Sequence, residues 1–101
     1  MRIKTSTTGN TFEARLSDRL TFADHQAFRE MIQQVTTTGA KEFVLELSEL
    51  VSIDSAGLGM FVIAMESGSK NGWSLTLKAP RPSVKQLLLL AKFDKLVTLV
   101  D

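Results

Sequence analysis

The chain of 101 residues contains no cysteine, which removes disulfides, thiolate metal sites and a cysteine nucleophile together. Only one histidine is present, His25, too few for a histidine-rich metal site. Charge of one sign is also lacking: twelve basic and eleven acidic side chains leave a formal net charge of +1, without the surplus expected of a nucleic-acid binder. No apolar run approaches the roughly 20 residues of a membrane span. Met1-Arg2-Ile3-Lys4-Thr5 alternates charge and apolarity instead of leading into a signal-peptide core. A cytoplasmic protein with neither membrane nor nucleic acid as partner is the expectation. What the chain does have is 44% hydrophobic residues and no low-complexity tract, which fits one domain over residues 1–101 with a single core.

Residues 2–6 and 11–16 read as two strands joined through Thr8-Gly9-Asn10, with Phe12, Ala14 and Leu16 alternating onto one face. Thr21-Phe22-Ala23-Asp24 has the form of a capping box. It precedes a helix in which Phe28, Met31, Ile32 and Val35 recur at i, i+3, i+4 and i+7. Thr36-Thr37-Thr38 weakens that helix, and Gly39 is a natural left-handed stop.

Phe43 to Leu47 reads as a central strand covered by helices on one or both faces, and residues 48–52 as a connection. A second helix is expected over residues 56–67, ending near Gly68, with Asn71-Gly72 turning into a strand over 73–78. Pro80-Arg81-Pro82-Ser83 punctuates the chain, and Ser83 is expected to cap a third helix with Val84, Leu87, Leu88 and Ala91 on its packed side. Lys92 and Lys95 suit the C-terminal end of that helix, before a last strand over 96–100. The order is β-β-α-β-α-β-α-β, an α/β domain with a mixed sheet of about five strands and three helices.

The chain is organised around Ile53-Asp54-Ser55-Ala56-Gly57-Leu58-Gly59, where a buried strand gives way to an acid, a hydroxyl and two glycines. Ser55 reads as an N-cap worth about 1 kcal/mol, with Asp54 at the positive end of the helix. Capping leaves Gly57 and Gly59 unexplained, since each costs up to about 1 kcal/mol relative to alanine in a helix; something must approach the backbone closely. Leu58 to Met65 carries no charge and covers more than one stripe. If Leu58, Phe61, Val62 and Met65 pack on the sheet, then Met60, Ile63 and Ala64 face a partner, methionine adapting to its shape. Phosphorylation of Ser55 would add about −1.5 to −2 charges beside that surface and oppose binding, with the helix N-terminus partly stabilising the phosphate.

Catalytic chemistry is poorly supported. The motif lacks the first glycine of a nucleophile elbow, and His25 has no second triad signal near it. Gly57-Leu58-Gly59 has neither the third glycine of a dinucleotide fingerprint nor the Lys-Ser/Thr of a phosphate loop. A non-enzyme without cofactor or metal is expected. Small-ligand binding at the glycine turn and a scaffold role in which Ser55 is only a cap stay open beside the phosphoswitch.

Leu45-Glu46-Leu47-Ser48, five connecting residues, then Asp54-Ser55-Ala56-Gly57-Leu58-Gly59 resembles the signature of STAS domains of the anti-sigma-factor antagonist type. Arg19-Leu20-Thr21-Phe22-Ala23 is similar to the segment before that family's first helix. The resemblance implies a bacterial partner-switching protein in signal transduction and transcription regulation. Ser55 would be phosphorylated by a serine kinase that is often the anti-sigma factor itself, with ATP belonging to the kinase. The unphosphorylated form would bind that kinase and free a sigma factor. A PP2C-type phosphatase, in several relatives fused to a response regulator, would reset it. Asp54 would assist phosphoacceptor recognition, and Thr21, Ala56, Gly57, Leu58, Gly59, Met60 and Ile63 would join the partner surface. The family more often has an acid where this chain has Thr21 and aspartate where it has Glu46, departures expected to alter contacts around Ser55. Other relatives are transporter subunits, which makes a non-switching scaffold the alternative.

Overall fold

A computed structural model describes residues 1–101. Strands β1 (Arg2–Thr8) and β2 (Thr11–Leu20) form the expected hairpin, turning on Gly9 at φ +58, where a side chain would be strained. A 3-10 turn (Phe22–Asp24) leads into α1 (His25–Thr38), which stops at Gly39 with φ +73. Then follow β3 (Glu42–Ile53), α2 (Ser55–Asn71), β4 (Ser74–Lys78), α3 (Pro82–Leu90), α4 (Phe93–Leu96) and β5 (Thr98–Val100).

The sheet runs β1-β2-β3-β4-β5, with β1 antiparallel to β2 and all later neighbours parallel. Each crossover from β2 onward steps the same way across the sheet. Right-handed connections that all step one way put every helix on one face, and the burial follows. Phe12, Ala14 and Leu16 of β2, Phe43, Leu45 and Leu47 of β3, and Leu75 and Leu77 of β4 lie in one contiguous core under the helices. The register pairs Phe12 with Phe43 and Leu45 with Leu77. The opposite face is polar and carries the ion pairs Arg15–Glu46 (2.9 Å) and Glu13–Lys78 (3.9 Å). The stripe Phe28, Met31, Ile32 and Val35 of α1 is buried as its period requires. Phe28–Phe61 and Phe61–Phe93 ring contacts at 6.0 and 6.2 Å tie α1, α2 and α4 together, each worth about 0.5–1.5 kcal/mol beyond area burial.

Four expectations are corrected. Residues 48–52 are strand, not connection, because the bulged second half of β2 pairs with them, through Ser17↔Glu49, Asp18↔Leu50 and Arg19↔Ser52. Helix α2 passes through Gly68 to Asn71 and stops at Gly72 with φ +82, since Trp73 packs directly over Gly68. Arg81, not Ser83, is the N-cap of α3, with Pro82 in the first turn, the position where its missing N–H costs nothing. The third helix is two: Lys92 adopts φ +62, which turns the chain so that Phe93 enters the core while Leu87 and Ala91 are left exposed. The last strand accordingly starts only at Thr98.

Candidate functional site at the start of helix α2

Parallel register brings the site together. Leu20 and Ile53 are paired at the C-terminal ends of β2 and β3, and the Asp54 N–H donates to the Leu20 carbonyl at 3.2 Å. Thr21 and the stretch from Asp54 to Gly59 therefore meet at one end of the sheet, the end at which open parallel sheets present ligand-facing residues. The Asp24 carboxylate accepts the Thr21 N–H at 2.9 Å and its hydroxyl at 3.4 Å. Burial pushes the Asp24 carboxyl upward, but the Thr21 N–H and the terminal ammonium of Met1 at 3.1 Å outweigh it and hold it below its ordinary value. Thr21 is thus pinned and half-buried.

Asp54, not Ser55, is the N-cap of α2. Its Oδ1 accepts the Gly57 N–H at 2.8 Å, and its carbonyl takes the Leu58 N–H at 3.1 Å. Ser55 is the first helical residue and is exposed. Its hydroxyl makes no hydrogen bond within the protein, so it is not spent on holding the helix.

The two glycines differ. A Cβ on Gly57 would lie 2.5 Å from Ile53 Cγ1 and 3.0 Å from the Leu20 carbonyl oxygen. What approaches Gly57 is the domain's own sheet, which lets the first turn of α2 sit down on β2 and β3. A Cβ on Gly59 would meet nothing within 4 Å.

Helix phase is also corrected. Gly57, Met60, Phe61, Ala64 and Gly68 form the buried side of α2; Met60 is 3% exposed and Ala64 fully buried. Neither can face a partner. At about 100° per residue, Ser55, Gly59, Val62 and Glu66 line the opposite, outward stripe. Ala56, Leu58, Val62, Ile63 and Met65 are half-buried. Of the expected partner residues, Asp54, Ser55 and Gly59 are exposed, Ala56, Leu58, Ile63 and Thr21 are partly so, and Gly57 and Met60 are internal.

Two features escaped the sequence reading. Phe22 is 73% exposed beside Thr21 and stacks on His25 at 5.9 Å; its being out of step with the 28/31/32/35 stripe was the available signal. A depression of about 590 Å³ lined by Arg19, Thr21, Ala23, Asp24 and Val51 adjoins it.

Glu46 lies elsewhere. Ile53 is seven positions further along β3, about 23 Å at 3.3 Å per residue. Glu46 is buried on the polar sheet face, accepting the Ser48 N–H at 2.7 Å and hydroxyl at 3.0 Å beside Arg15 at 2.9 Å. Burial raises its carboxyl, and these partners more than offset that and hold it below its ordinary value. The expected effect of Glu46 on the Ser55 end is therefore not direct.

No three His, Cys, Asp or Glu side chains come together as a metal site, and no helix is long and apolar enough to cross a membrane. A one-sided sheet, with an uncommitted hydroxyl and a bare glycine displayed at the first turn of a helix, defines a small α/β domain with a surface site and no enclosed cleft. The chain belongs to the STAS-domain family: residues 3–100 match the family model described as "Mlab, STAS domain". A Thermotoga maritima protein named as a candidate anti-sigma factor antagonist is 35% identical over 63 residues, which are 62% of this chain and 56% of that one. The chain thus aligns with little more than half the length of this curated relative. A crystal structure of a candidate anti-sigma factor antagonist from Thermotoga maritima superposes with a TM-score of 0.88 at 24% identity, covering 98% of this chain and 86% of that one. The anti-sigma factor antagonist SpoIIAA in its unphosphorylated form gives 0.77 at 19% identity over 99% of this chain and 88% of that one. SpoIIAA from Bacillus in its phosphorylated form gives 0.76 at 18% over 99% and 92%.

Proposed function

We propose that this protein is a non-enzymatic anti-sigma factor antagonist working by partner switching. The observation that carries the reading is the state of Ser55: first residue of α2, exposed, and free of any bond to the protein because Asp54 does the capping. A phosphoryl group there would meet the free N–H groups and positive end of a 17-residue helix, so modification would alter the surface without unfolding the domain. Gly59, on the same stripe with nothing near it, lets a partner approach the helix backbone. Val62, Ile63 and Leu58 supply half-buried apolar contact around it, and Phe22, 73% exposed, offers a large aromatic surface for a partner to bury. The likeness to SpoIIAA, solved with and without phosphate, supports the assignment.

The unphosphorylated form then binds an anti-sigma factor that is also a serine kinase and releases a sigma factor. Phosphorylation of Ser55 ends that binding, since a group of about −1.5 to −2 charges lands next to Asp54 and the docking stripe. A PP2C-type phosphatase restores it. Incubation with the serine kinase encoded beside the gene, with ATP, should add one phosphate by intact mass, and none to Ser55→Ala. Ser55→Asp should lose the kinase in pull-downs. Unaltered mass in the wild type, or normal binding by Ser55→Asp, would instead support a non-switching scaffold subunit.

A further inference from the structure

The opposite end of α2 carries a second feature. Strand β5 pairs with β4 only at Thr76, Leu77 and Lys78, so Ser74 and Leu75 have no β5 partner. Between this open half-edge, the last turns of α2 and the α4–β5 corner lies a groove of about 360 Å³, lined by Met65, Trp73, Leu75, Leu96 and Val97 with Ser69, Ser74, Thr98 and Lys95. Its volume falls in the range of small-molecule sites.

Its chemistry is one-sided. Five of nine lining residues are hydrophobic and none is acidic, while Lys95 forms no ion pair. Trp73, 5% exposed, has its indole Nε1 buried with no protein acceptor. A buried N–H of that kind ordinarily has a partner, and indole nitrogen can only donate. The ring is held firmly: its Cε3 and Cζ3 edge lies against Gly68 and Phe43 packs on it edge-to-face at 5.4 Å. An apolar slot furnished with an ammonium and hydroxyls, and with no carboxylate, suits an apolar tail ending in an anionic acceptor.

We infer that this groove is a binding site for small amphiphilic carboxylates of medium chain length, with the apolar tail against Met65, Leu75 and Leu96 and the carboxylate at Lys95. It lies about 21 Å along α2 from Ser55, fourteen residues at 1.5 Å each, so occupancy does not obstruct the phosphoacceptor end, and the inference does not rest on partner switching.

The chain has one tryptophan, so fluorescence and the single indole N–H resonance both report on the groove. Titration of the full chain with octanoate should give saturable changes in both below about 1 mM, a modest affinity for a ligand of this size. Lys95→Glu should weaken binding by about tenfold or more, as expected when a charge-assisted hydrogen bond becomes a like-charge contact. Lys70→Glu, outside the groove, should leave it unchanged, and methyl octanoate should bind as weakly as octanoate binds Lys95→Glu. No saturable change in the wild type, equal binding by the methyl ester, or unaltered affinity in folded Lys95→Glu would each overturn the inference.

Discussion

Replacing the three glycines of α2 one at a time by alanine should give stability changes of both signs. The intrinsic gain is the same at each, about 1 kcal/mol for alanine over glycine in a helix interior; what differs is the space. At Gly59 nothing lies within 4 Å of the new methyl, so the gain is realised and the melting temperature should rise by about 4–8 °C. At Gly57 the methyl would sit 2.5 Å from Ile53 Cγ1 and 3.0 Å from the Leu20 carbonyl. Ile53 is β-branched and stiff at χ1, and the carbonyl is tied to the Asp54 N–H. Overpacking of this kind costs about 1–3 kcal/mol, which cancels or exceeds the gain and leaves a net loss of up to about 2 kcal/mol.

Gly68 is tighter still. Its methyl would meet the Trp73 carbonyl oxygen at 2.5 Å and ring carbons at 2.7 and 2.9 Å. The Trp73 N–H bonds back to the Gly68 carbonyl at 3.1 Å, so neither backbone can retreat without breaking the turn. Gly68→Ala should be the least stable of the three, losing about 2 kcal/mol or more. Urea unfolding followed by Trp73 fluorescence measures all three, with circular dichroism as a second probe because Gly68→Ala perturbs the reporter itself. The order Gly59→Ala above wild type, then Gly57→Ala, then Gly68→Ala is expected. A Gly59→Ala that destabilises, or a Gly68→Ala as stable as wild type, refutes the packing argument. If the proposed partner switching holds, the same Gly59→Ala that stabilises the fold should weaken binding of the proposed kinase, since the outward stripe loses its closest point of approach.

Glu46 should show its contribution as a pH dependence. Its folded carboxyl is held below the ordinary 4.5, so the stabilisation is fully present above that value and is lost as pH falls through the lower folded value. Glu46→Gln should cost about 1–3 kcal/mol near neutral pH, with the gap from wild type closing below about pH 4.5 in urea titrations; a gap that widens in acid would contradict the assignment. Asp54→Ala removes the acceptor for the Gly57 N–H and should lose about 1 kcal/mol, with Asp54→Asn recovering most of it. Ser55→Ala should change stability by no more than about 0.5 kcal/mol, because its hydroxyl holds nothing; a loss as large as that of Asp54→Ala would restore serine as the cap.

The sequence by itself determined the hairpin, the buried stripe of α1, the stop at Gly39, the order of elements and the placing of Asp54 to Gly59 at a strand-to-helix junction. Each of these rests on a local contrast: polar against apolar at a fixed period, or a residue that alone tolerates a given backbone angle. Where the contrast fades, only the tertiary structure decided. Leu58 to Met65 is apolar nearly all round, so no period selects its inward side. The sheet does, burying Met60 and turning Ser55, Gly59 and Val62 outward. Two glycines two residues apart look alike in sequence, yet Ile53 and Leu20 close over one and nothing lies near the other. Asp54 and Ser55 are both good caps, and the choice between them follows from the bond that ties Asp54 to Leu20 at the end of β2. That long-range contact is what leaves the Ser55 hydroxyl exposed and uncommitted.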